Sequence, residues 1–275
     1  MKKIKKYLKS KYSKEQLLRM HHFITRNKVV GLFIALFFGR NLTSLAQIYN
    51  TDKWGAHFYT PHYQHHFSKY RNKRINMLEI GVGGYSNPKL GGESLRMWKK
   101  YFPHGNIFSL DIHDKSYHQE ARIKIFKGSQ VDYKFLDDVL ENIGAPLDII
   151  IDDGSHYNEH VIKTFEYLFP KLKDGGIYVV EDIQTSYWES EGGDSYDLNK
   201  PDTIMNFFKR LTDCLNYKEF MIPGYQPSYY DLNIISVHFY HNMIFIYKGK
   251  NIEESNSLLN NQKRIKKSKS LTQVN

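Results

Sequence analysis

The period of apolar positions changes near residue 75 and again near residue 250. Between 75 and 183, short runs rich in β-branched residues alternate with longer stretches in which apolar side chains recur every three or four positions. INMLEIGV (75–82), NIFSLDI (106–112), RIKIFKG (122–128), LDIIIDD (147–153) and GGIYVVEDI (175–183) read as strands. ESLRMWKKYF (93–102), FLDDVLENI (135–143) and EHVIKTFEYLFPKL (159–172) have helical spacing. Strands apolar on both faces and separated by helices predict a parallel sheet covered on each side. NIISVHFY (233–240) and MIFIYKG (243–249) flank His241 and Asn242 as an antiparallel pair. The pattern therefore predicts an α/β, Rossmann-like chain: a mostly parallel seven-stranded sheet, an antiparallel C-terminal strand pair, and helices on both faces.

Such sheets bind ligands beyond the carboxyl ends of their strands, so the chemistry is sought there. The first strand ends in Glu79, Gly81 and Gly83, where glycines let the backbone turn tightly and approach a ligand. The second ends in Asp111, suited to accept hydrogen bonds from the hydroxyls of a ribose. A nicotinamide-binding fold would look similar, but Ser86 replaces the third glycine of GxGxxG, and Asp111 lies about ten residues beyond the usual offset of the acid. A looser E-x-G-x-G followed by an acid at the end of the second strand resembles the pattern of S-adenosylmethionine (SAM) methyltransferases. After the third strand, Ser129 and Gln130 are placed to meet an adenine edge, or form an ordinary turn. The fourth strand ends in Asp152, Asp153 and, across a short turn, His156; the fifth ends in Glu181 and Asp182. Crowded carboxylates repel one another, and a hard divalent cation such as Mg²⁺ or Mn²⁺ removes that repulsion.

Charge and cysteine usage narrow the setting. The net charge is +10, with basic runs at 2–14 and 262–270 and mixed signs between them, so a nucleic acid is not expected as a partner, and the basic ends are either solvated or in loose peripheral contact with a membrane. The single cysteine, Cys214, excludes an internal disulfide and fits a reducing, cytoplasmic setting. VVGLFIALFF (29–38) is apolar but shorter than the ~20 residues a spanning helix needs, and predicts a buried or interfacial helix in an extension that could also pack a partner subunit of a homo-oligomer or lie on anionic lipid. The chain divides into a basic and apolar helical extension (1–43), a catalytic domain (44–250) and a basic tail expected to be disordered (251–275).

Four stretches taken in order, IYNTDKWGAHFYTPHY (48–63), LEIGVGGYSNPKLGGESLRMWKKYFP (78–103), IDDGSH (151–156) and GGIYVVEDIQTSYW (175–188), resemble the metal-dependent class I methyltransferases that methylate sugar hydroxyls on macrolides, the mycinamicin and macrocin O-methyltransferase type. The resemblance spans residues 44–248 and implies SAM as methyl donor and a glycosylated small molecule or saccharide as acceptor. It implies that Asp153, Glu181 and Asp182 hold Mg²⁺, that His156 is the general base, and that Glu79, Gly81, Asp111 and Gln130 contact SAM. Asp152 is left to orient His156, to bond the SAM amine or to begin the turn, while Tyr59 and His57 are candidates for the acceptor pocket. Lys53 is placed either over the SAM carboxylate or in a helix cap, and ESEGGDSYDLN (189–199) is either a mobile lid or a plain surface loop. A catechol-type methyltransferase, or a SAM- or nucleotide-binding protein of the same fold without catalysis, are the alternatives.

Overall fold

The computed structural model describes residues 27–263 together with Lys11, Tyr12, Ser13, Gln16, Leu17, Met20 and Phe23. Most of both basic runs lies outside the described residues. The chain forms two compact units, the first ending at Gly128 and the second beginning at Ser129.

In the first unit, helices α1 (Lys28–Phe38), α2 (Leu42–Tyr49) and α3 (Thr60–Phe67) precede strand β1 (Asn76–Ile80). Helix α4 (Glu93–Tyr101) then leads to strands β2 (Asn106–Asp111) and β3 (Ile123–Lys127). The three strands are parallel in the order β3, β2, β1, with Ile80 beside Leu110 and Asp111 beside Lys127. One face of α4 is buried through Leu95, Trp98 and Tyr101. Trp98 meets Tyr63 and Phe67 edge-on at 4.9 and 5.8 Å, geometries that aromatic quadrupoles favour.

In the second unit, helix α5 (Tyr133–Ile143) is capped by the Asp132 side chain at its start and by left-handed Gly144 at its end. Strand β4 (Leu147–Asp152) is buried along its whole length, as a strand covered on both faces must be. Helix α6 (Asn158–Leu168), strand β5 (Leu172–Glu181), helices α7 (Ile204–Arg210) and α8 (Tyr229–Asn233), and strands β6 (Ile234–Tyr240) and β7 (Met243–Lys248) follow. Strand β5 runs parallel to β4 and antiparallel to β7, which pairs antiparallel with β6. Phe165 of α6 anchors this core against Phe169, Tyr178, Phe207 and Phe208, with ring centroids 4.8–5.8 Å away.

The seven strands are those of the mostly parallel sheet expected from the sequence, with its antiparallel C-terminal pair. Strand β5 differs in starting at Leu172, before the Gly175-Gly176 pair expected to precede it. Gly175 takes φ +79° and the register with β4 shifts between Leu147 and Ile149, so the glycines form an irregularity inside the strand. Of the tail, residues 251–263 are described: Leu258–Leu259 and Gln262–Lys263 form a short hairpin, and Asn261 donates to the carbonyls of Tyr217 and Phe220.

Candidate active site

At the ends of β1 and β2 the first unit builds a shaped backbone loop. Gly81 and Gly83 adopt φ +94° and +79°, open to glycine but strained for other residues. Gly92 N–H returns to the Val82 carbonyl, and a Cβ on Gly91 would sit 2.4 Å from the Gly83 oxygen, so the two limbs of the loop touch. Asp111 is half-buried and accepts one backbone N–H on each oxygen, from Val82 at 3.0 Å and from His113 at 2.8 Å. Those two bonds fix the carboxylate while leaving each oxygen a further lone pair for a hydroxyl.

Glu79 is fully buried, paired with Lys53 Nζ at 3.2 Å and accepting from Ser94 Oγ at 2.9 Å. The lysine considered for the SAM carboxylate thus pairs with Glu79 inside the protein. His57 stacks on Tyr59 with ring centroids 4.7 Å apart, and Tyr59 is buried, so His57 is the more accessible member of the pair.

In the second unit the register sets Asp152 beside Val180, which brings Asp153 and Glu181 to the same level at the ends of adjacent strands. Ligand atoms of Asp153, His156 and Asp182 lie within 4.8 Å of one another, and an oxygen of Glu181 lies within the same distance of one on Asp153. His156 Nε2 is 3.8 Å from carboxylate oxygens of both Asp153 and Asp182. His156 and Asp182 both adopt left-handed backbone, φ +58° and +55°, an uncommon state for such residues that concentrates at functional sites. Among the described residues, His156 Nδ1 is buried without a hydrogen-bond partner.

Beneath this cluster, Gln130 uses its whole amide. Its Nε2 donates to Asp152 at 3.2 Å and to Thr164 Oγ1 at 3.1 Å, and its Oε1 accepts the Ser155 N–H at 2.9 Å. Gln130 therefore holds the turn that carries Asp153 and His156. Ser129 is half-buried and accepts the Val131 N–H at 3.3 Å.

Burial pushes the Asp152 carboxyl up from 3.8 to about 7, against the opposing pull of His156, Gln130 and Gly154. The Tyr178 phenol beside it is pushed up by burial and by the Asp152 charge. The folded chain keeps the Asp152 proton up to about pH 7, while the unfolded chain releases it near pH 4, so this group withdraws stability as pH rises between those values. In excess chelator, Asp152→Asn is expected to shrink the fall in urea midpoint across that window, and an unchanged fall would count against a raised Asp152.

Asn158, two residues past His156, was not marked by any sequence signal. Its amide donates to the carbonyls of Thr185 and Glu191, both at 2.9 Å, and its oxygen accepts the Ile204 N–H at 2.6 Å. The segment after β5 is pinned further by Gly193 N–H to Trp188, Asp194 N–H to Ser186 and Lys200 Nζ to Gly192. Residues 189–199 thus form a closely hydrogen-bonded loop. Asn158→Ala leaves the buried Ile204 N–H without its acceptor and removes a donor from the Thr185 and Glu191 carbonyls, the first of which keeps the Trp188 N–H, and is expected to cost about 1–3 kcal/mol in urea denaturation.

The oxygen donors fit a hard divalent cation: carboxylates from two adjacent strand ends, with no thiolate among them. The Gly81–Gly83 loop and the anchored Asp111 fit a ribose-bearing ligand.

A family model described as a methyltransferase domain matches residues 33–183. The chain belongs to that family, and with its fold this makes it a Rossmann-like methyltransferase. It is 46% identical over 215 residues to the mycinamicin VI 2''-O-methyltransferase of Micromonospora griseorubida, covering 78% of this chain and 54% of that protein. It is 48% identical over 218 residues to the demethylmacrocin O-methyltransferase of Streptomyces fradiae, again covering 78% of this chain and 54% of the relative. The structure of the MycE methyltransferase from the mycinamycin biosynthetic pathway in complex with Mg and SAH matches with TM-score 0.75 and 46% identity, over 78% of this chain and 56% of that one. The chain thus spans about half the length of the curated relatives it matches.

Proposed function

We propose that this chain transfers the methyl group of SAM to a hydroxyl of a sugar, in a glycosylated small molecule or a saccharide. The observation that carries this reading is the convergence of Asp153, His156 and Asp182 at the ends of β4 and β5, in a chain whose relatives include O-methyltransferases named for mycinamicin VI, for demethylmacrocin and for a rhamnosyl tetracenomycin. Asp153, Glu181 and Asp182 would hold Mg²⁺ or Mn²⁺. Bound there, the cation would polarise an acceptor hydroxyl and acidify it. SAM would supply an electrophilic methyl group, its ribose received by Asp111 and its body by the backbone at Gly81 and Gly83.

His156 takes the hydroxyl proton at Nε2, and the carboxylates 3.8 Å away stabilise the imidazolium that results. Asp152 and Gln130 act below, by fixing the turn on which His156 rides, and Ser129 stays assigned to the SAM side. Glu79, paired with Lys53, shapes the floor of the nucleoside loop, and His57 with Tyr59 is assigned to the acceptor side. The catalytic domain would span residues 44–250, in a cytoplasmic protein with peripheral membrane contact.

Incubation with methyl-labelled SAM and a panel of glycosides, with and without chelator, tests the reading. Label is expected in glycosides carrying vicinal hydroxyls, and only with metal present. Transfer to catechols but not glycosides would move the chain to the catechol-type class, and no transfer at all to the non-catalytic one.

A further inference from the structure

Helix α1 turns its apolar side outward. Val29, Leu32, Phe33, Leu36 and Phe37 fall on one face by helical spacing, and all are more than half exposed, from 55% for Phe33 to 78% for Val29. The opposite face is fixed to the first unit: Gly31 and Ile34 are buried, and the Gly31 carbonyl accepts from Lys100 Nζ at 2.8 Å. Beyond the helix, Gly39 accepts from Arg71 Nε at 3.2 Å. The exposed stripe is therefore held in place, and it is larger than the scattered apolar residues of an ordinary surface.

Length and charge say what covers it. Eleven residues rise about 16 Å, half of the ~30 Å hydrocarbon core, and no helix among the described residues is long and apolar enough to cross a membrane. Residues 1–51 hold eleven of the 39 Lys and Arg but only one of the 29 acids, Glu15, which leaves the rest of the chain balanced at 28 against 28. The whole net charge of +10 thus belongs to the segment that contains the stripe, with Arg26 and Lys28 at one end of it and Arg40 at the other. A second copy seated on this face would bring two such segments together and be repelled. An anionic bilayer neutralises the same charge while covering the apolar side chains.

We propose that α1 is an in-plane surface anchor, laying Val29, Leu32, Phe33, Leu36 and Phe37 into the headgroup region of an anionic membrane, with the N-terminal cations on the lipid phosphates. It deepens the peripheral-membrane part of the proposed function but involves no residue assigned to catalysis, so lipid binding and turnover can fail independently.

The test is flotation of the full chain with vesicles of phosphatidylcholine alone and of phosphatidylcholine mixed with phosphatidylglycerol. Binding is expected to the mixed vesicles, with at least about a tenfold drop in partitioning on raising the salt or in Phe33→Ser/Phe37→Ser. Both side chains are exposed, so the double variant should keep the wild-type thermal midpoint and solution turnover. Equal binding to both vesicles, or binding to neither, overturns the proposal. So does a wild-type dimer in light scattering that the double variant dissociates, since a second copy would then cover the stripe.

Discussion

His156→Asn is expected to lower kcat by about 10²–10⁴ while leaving SAM affinity unchanged. Asparagine is the chosen replacement because residue 156 stands at φ +58°, which Asn tolerates better than Ala, so the variant loses the base without straining the turn. Calorimetry with SAM and a metal titration should match the wild type. Part of the lost rate should return at higher pH, where solvent hydroxide can replace the imidazole. A variant with wild-type kcat would show that the proton leaves by another route, and one that also loses SAM would show that His156 holds the turn rather than the proton.

Asp153→Asn is expected to abolish turnover and, separately, the response of stability to Mg²⁺. In the wild type, metal at a hundredfold excess over its Kd should raise unfolding free energy by about 2.7 kcal/mol, read as a rise in melting temperature. The variant should show little of that rise, because one of the carboxylates clustered within 4.8 Å is neutral. Without metal the order should reverse, the variant melting slightly above the wild type once part of the repulsion between the acids is gone. Chelator should silence the wild type and added Mg²⁺ restore it. Full turnover in chelator, or an identical Mg²⁺ response from both proteins, would make the acids structural.

The strands and helices were legible because each records its own burial: β4 carries Leu147, Ile149, Ile150 and Ile151 and is buried throughout, and α4 repeats Leu95, Trp98 and Tyr101 along one buried face. The candidate acids were legible for a related reason. Parallel strands leave their ligands at their carboxyl ends, so polar residues directly after apolar runs mark the place. The start of β5 was misjudged because Gly175 and Gly176 signal a turn locally, whereas pairing with β4 carries the strand through them.

Partnerships between distant residues were not legible. Nothing near Lys53 in the sequence names Glu79 as its partner, and nothing near Gln130 says that its amide will be spent on Asp152, Thr164 and Ser155. Those pairings arise only when strand register and helix packing remove the groups from water, after which each buried donor and acceptor must find the partner that geometry offers. The left-handed backbone at His156 and Asp182 belongs to the same level, since the surrounding fold must hold both residues in a state their own preferences disfavour. By itself, then, the sequence determined the order of elements and the strand ends that carry the chemistry, because apolar periodicity is local. The aim of the imidazole, the clamp beneath it and the outward face of α1 were decided by the tertiary structure, because they depend on which surfaces remain once the core has closed.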